Sequence, residues 1–180
     1  MKSLPLLAGS ALLAAMLTGC GSGPTFDYGA DLAAPDPSAY PGGDTEPGAD
    51  GRADLTLDDG TRVVIWIDPD HIQKVYEQHS DPDHPDSWTE PKVLFTAGDG
   101  CLFVRAATDG DLVAATFGCY GSDAFLQQAP DQGQAVVTTD LADWEVHDAG
   151  ELWGEPQIAD GAVDWSESDL AWSENHGFNR

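Results

Sequence analysis

Basic residues are scarce in this chain of 180 residues: seven Lys and Arg stand against 32 Asp and Glu, for a formal net charge of −25. Such a surface repels phosphate backbones and anionic headgroups, which argues against nucleic acid as a partner. The five histidines, His71, His79, His84, His147 and His176, show no HExxH or related spacing, so nothing marks a zinc site. GxSxG and CxxC are also missing, which removes the usual signs of a hydrolase elbow and of a redox dithiol. No cofactor-binding motif stands out, and no acid pair has the apolar flanks that keep one carboxyl protonated for glycoside chemistry. The apolar stretch from Leu4 to Leu17 is too short to span a bilayer stably.

What is present begins with that stretch. The opening MKSLPLLAGSALLAAMLTGCGSG has one Lys, an apolar run and small residues at its end, which reads as an export signal. Its run Leu17-Thr18-Gly19-Cys20 resembles the lipobox of bacterial lipoproteins. The resemblance implies cleavage before Cys20, acylation of its thiol, and a chain anchored by lipid on the extracytoplasmic face of the cell membrane. Residues 1–19 are then the signal peptide, and loss of Lys2 takes the net charge to −26. Residues 20–52 are rich in Gly, Pro, Asp and Ala with no periodic apolar face, the composition of a disordered tether. Residues 53–180 have the size of one domain.

With Cys20 lipidated, Cys101 and Cys119 remain. An exported chain with an even remainder pairs them, whereas a metal clip lacks further ligands between them. The two are symmetric about Gly110 in CLFVRAATDGDLVAATFGC, so a three-residue turn there would set them directly opposite.

Asp-Gly occurs at Asp50 and Asp99 as well, but at Asp59-Gly60, Asp109-Gly110 and Asp160-Gly161 it falls between similar apolar flanks with a period of about fifty residues. Each occurrence predicts a β-hairpin, and Val63, Ile65 and Ile67 alternate with Val64 and Trp66, as in a strand buried on both faces. Further strands are expected in HIQKVYEQHS, SWTEPKVLF, DAFLQQAP, QAVVTT and WEVHDAGEL. The fold class is all-β, with propeller-like four-stranded repeats forming two to three blades, or alternatively a small β-sandwich.

Three segments, SDPDHPDSW from Ser80, TTDLADW from Thr138 and SENHG from Ser173, resemble degenerate Asp-box turns of sialidase-type propellers. The resemblance implies turns whose polar side chains bind local backbone and whose Trp packs between blades. A sialidase site also needs three converging arginines, and past the signal only Arg52, Arg62, Arg105 and Arg180 remain. Asp81, Asp83 and Asp86 offer hard oxygens for Ca²⁺, but Pro82 and Pro85 constrain the loop and favour a solvated turn. Trp66, Trp88, Trp144, Trp153, Trp165 and Trp172 suit either packing or sugar stacking. The function expected is a non-catalytic binding or interaction module with a protein or glycan ligand, with a carbohydrate-binding or degenerate glycosidase-like protein as the alternative. Closure of blades between copies would make it a homo-oligomer.

Overall fold

A computed structural model describes residues 26–27, 51–68, 71–120, 132–150, 154–165 and 168–180. The expected strand in DAFLQQAP, Trp153 and Cys20 lie outside them. Among the described residues there is no helix, and every strand pairing is antiparallel.

The strands form three four-stranded sheets, each in the order of the chain. The first contains β2 (Arg52–Thr56), β3 (Arg62–Ile67), β4 (Lys74–His79) and β6 (Lys92–Thr96). The second contains β7 (Gly100–Asp109), β8 (Leu112–Tyr120), β9 (Gln132–Thr138) and β10 (Glu145–Gly150). The third contains β11 (Pro156–Ala159), β12 (Ala162–Trp165), β13 (Ala171–Ser173) and β14 (Gly177–Asn179). A separate ladder joins β1 (Phe26–Asp27) to β5 (Trp88–Thr89). Within the stretch read as a tether, Phe26–Asp27 pairs with β5 and Arg52 opens β2.

The sheets pack in series because the middle one is apolar on both faces. Val63, Ile65, Ile67 and Val75 of the first sheet meet Val104, Val113, Phe117 and Val136 of the second. On the other side Ala114 and Val137 meet Val163, Trp165 and Trp172 of the third, and Trp165 Nε1 donates to Thr116 Oγ1 at 2.7 Å. All nine residues of β8 are buried, as a strand covered on both faces requires. The first strands of neighbouring sheets, β2 with β7 and β7 with β11, lie against each other.

The outer faces differ. That of the third sheet carries exposed Gln157, Asp164 and Asn179, and so faces water. That of the first sheet carries Val64, Trp66 and Tyr76 under Trp88, with the Arg62 guanidinium 4.7 Å from the Trp88 ring.

Each of these three Asp-Gly pairs, at Asp59, Asp109 and Asp160, makes a hairpin, but by a different turn. Between β2 and β3 five residues intervene, with Gly60 at φ 91° donating to the Leu57 carbonyl. Between β7 and β8 Asp109 belongs to the strand and pairs with Leu112, so the turn is Gly110-Asp111. Between β11 and β12 Asp160 and Gly161 both have positive φ, 52° and 72°, the pattern of a type I′ turn.

The second turn corrects the symmetry expected for the cysteines. A two-residue turn alone would pair Cys101 with Tyr120. A bulge between Cys101 and Phe103 leaves Leu102 unopposed and restores Cys101 to Cys119, and the two form a disulfide with Cα atoms 3.9 Å apart.

Beside the bulge, Phe103 lies across Gly118, and a Cβ at position 118 would stand 2.0 Å from the ring's Cε1. Gly118→Ala is expected to cost about 2 kcal/mol by overpacking. In a Phe103→Ala background the same change should cost close to nothing, a non-additivity that urea melts of the four proteins would measure.

Candidate functional site

The three Asp-box-like segments each join the third and fourth strands of a sheet: 80–88 before β6, 139–144 before β10, and 174–176 before β14. Their side chains serve the local backbone. Asp81 Oδ1 accepts from the Asp83 amide at 2.9 Å, and Ser80 Oγ accepts from the Arg62 amide. Thr138 Oγ1 donates to the Asp143 carbonyl, and Asp140 Oδ1 accepts from the amides of Ala142 and Asp143 at 3.0 and 2.9 Å. Asp81, Asp83 and Asp86 are not gathered as ligands. Among the described residues no three of His, Cys, Asp and Glu converge to hold a metal ion.

The Asp143 amide is the main cause holding the Asp140 carboxyl below 3.8, aided by the Ala142 amide, the Thr138 hydroxyl and Lys92, and opposed by desolvation. A carboxyl lowered by folding adds stability that is complete above its unfolded pKa and is lost as the pH falls through the lower, folded value. Asp140→Ala should therefore reduce the fall in stability on acidification below pH ~4, and cost no more than about 1 kcal/mol at neutral pH because the site is exposed. Thermal melts of both proteins across that range would check it.

The histidines do not converge. His71 faces Asp68 at 3.0 Å, His84 faces Asp81 at 3.2 Å, His147 stacks on Phe178, and His176 lies 3.2 Å from Ser173 Oγ. His79 is different. Its Nδ1 lies 2.6 Å from Glu77 Oε1, with residue exposures of 5% and 1%, on the face of β4 that carries Val75 and points into the first core. This acid and imidazole pair has the geometry of a base and its orienting group, but it is sealed between two sheets.

The five tryptophans among the described residues pack into the fold. Trp66, Trp88, Trp165 and Trp172 are buried and Trp144 is partly buried against the first core, so they present no sugar platform. The Arg62 side chain donates to the Pro85 carbonyl beside Trp88, and the Arg105 guanidinium sits 5.2 Å from the Phe103 ring.

A concavity does form where the first two sheets meet. It measures about 300 Å³ and is lined by Leu57, Asp59, Thr61, Asp111, Thr139, Asp140 and Leu141. Its walls come from the β2–β3 turn, the β7–β8 turn and the β9–β10 turn. In a four-stranded meander the first and last turns share one end, and the middle turn lies at the other. Gly177, where β14 starts, would place a Cβ 3.6 Å from Glu145 Oε2, where β10 starts, so the third sheet points the same way. Acids that are dispersed in sequence, including Asp59, Asp83, Asp111, Asp140 and Asp160, are thus gathered at one end of the stack.

Comparison of the chain with models of known families, with characterised proteins and with solved structures finds no match. Neither the cavity nor the Glu77–His79 pair was expected from sequence. The available signals were an acid in three recurrent turns and an acid and imidazole two residues apart on a strand, which places both on one face.

Proposed function

We propose that the chain is an extracytoplasmic lipoprotein, acylated at Cys20, that carries a non-catalytic binding module formed by an open stack of three propeller-like blades. The observation that carries the anchor is the pairing of Cys101 with Cys119. Of three cysteines it leaves Cys20, which ends the lipobox-like run, and a structural disulfide suits an exported chain. The blade reading is supported by four-stranded meanders at a period of about fifty residues, by contact between their first strands, and by polar turns before each fourth strand. The polar outer face of the third sheet supports a stack that ends there, as a capping repeat does, over a ring closed by a second copy.

The binding reading is favoured over an enzymatic one by the burial of Glu77 and His79 and by the acidic end, which suits cations or basic partners. The anchor is tested by growing a bacterial host expressing the full chain with a radiolabelled fatty acid. Label should enter the protein, and Cys20→Ser should abolish it while leaving the disulfide intact. Absence of label from the unmodified chain would refute the anchor.

A further inference from the structure

We infer that the cavity between the first two sheets is a binding site for one organic cation, a guanidinium or primary ammonium group. It rests on the binding-module reading above and supplies that reading with a place and a ligand chemistry. The volume of about 300 Å³ lies at the lower end of the ~300–1,000 Å³ range of ligand sites, room for one side chain or small amine. Leu57, Thr61 and Leu141 are buried and form its floor, while Asp59, Asp111 and Asp140 are exposed and form its rim. An apolar floor under carboxylates fits the methylene stem and charged head of a Lys, Arg or aliphatic amine.

The polar groups left open point to the same chemistry. Thr61 is 4% exposed and lines the cavity, and within the described residues its hydroxyl takes no hydrogen-bond partner. Asp111 forms no side-chain hydrogen bond within the described residues. Asp59 and Asp140 each use Oδ1 on local amides, which leaves Oδ2 for a ligand. The carboxylates do not converge on a metal ion, so a ligand with several N–H donors in a spread geometry fits better than a single ion. Lys92 adjoins Asp140 and donates to the Ala142 carbonyl, but it does not line the cavity.

The test is calorimetric titration of the full chain in detergent with agmatine, with a tetra-arginine peptide and with CaCl₂, alongside the amide shifts of Thr61 and Asp111. Saturable one-site binding of an arginine-type probe is expected, weakened roughly tenfold by Asp111→Asn, as for loss of one charged hydrogen bond. Asp164→Asn, an equally exposed acid on the outer face of the third sheet, should change nothing. Agmatine binding as tightly as the peptide would assign the site to a free small amine, and tighter peptide binding to a basic side chain of a partner. No saturable binding, equal weakening by Asp111→Asn and Asp164→Asn, or Ca²⁺ shifting these amides more tightly than either amine would overturn the site. Such a failure with fatty-acid label still on Cys20 discards the site and keeps the anchor.

Discussion

Glu77→Ala is expected to cost about 3–5 kcal/mol, because it takes the carboxylate from the His79 imidazole in a core that water does not reach. With total stability on the order of 5–15 kcal/mol, that loss takes much of what holds a domain folded. His79→Ala should cost a comparable amount, since it leaves the Glu77 carboxyl without its imidazole. The physical cause is asymmetric. Two buried polar partners that satisfy each other stand near balance, whereas one alone retains the full desolvation cost. Two variants separate this account from simple loss of packing. Glu77→Gln keeps an oxygen opposite the imidazole and should recover part of the stability. Glu77→Leu with His79→Leu, which removes both polar groups, should be more stable than either single alanine variant. Urea unfolding of the set gives the coupling directly, and a double variant as weak as the sum of the singles would refute it.

Loss of the disulfide is expected to cost on the order of 3 kcal/mol for cysteines 18 residues apart, through the freedom regained by the unfolded chain. Cys101→Ser with Cys119→Ser should lower the unfolding free energy from urea melts by that amount, and thiol labelling of the unmodified folded chain should find neither cysteine. The bulge yields a sharper expectation. Leu102 is the residue with no opposite number, so its deletion should remove the bulge and still leave Cys101 facing Cys119. Deletion of a neighbour elsewhere in β7 has no such slack and moves side chains to the wrong face of the sheet. Retention of the bond in the Leu102 deletion, read by labelling and mass, separates a spacer residue from a packing one.

Much of the scaffold was legible because it rests on short-range rules. Asp-Gly marks the first hairpin of each sheet, and Val63 to Ile67 predict a strand buried on both faces. Lys74–His79 is a strand although its apolar residues also fit a helical spacing, because it has strand neighbours on both sides. The turns were less legible. Asp109 and Asp160 both precede Gly, yet one closes a strand and the other sits at positive φ within a turn. The choice follows from where each strand pair keeps its register, which depends on sheets that are distant in sequence. Glu77 was missed because an acid beside Tyr76 and Gln78 reads as solvent-facing, and only the packing of the second sheet buries it. The cavity was missed for a similar reason: Asp59, Asp111 and Asp140 become neighbours only when the sheets stack.

Under the acylation proposed at Cys20, the short ladder between β1 and β5 limits how far the molecule can stand from the membrane. Phe26 follows Cys20 by six residues, and six extended residues reach about 20 Å at most. Under that proposed acylation, Phe26 stands no more than that distance from the lipid-bearing residue, which would keep the Trp88 edge of the first sheet toward the bilayer. The leash so proposed ends where Trp88 takes up its partner strand, before the Gly- and Pro-rich segment that follows.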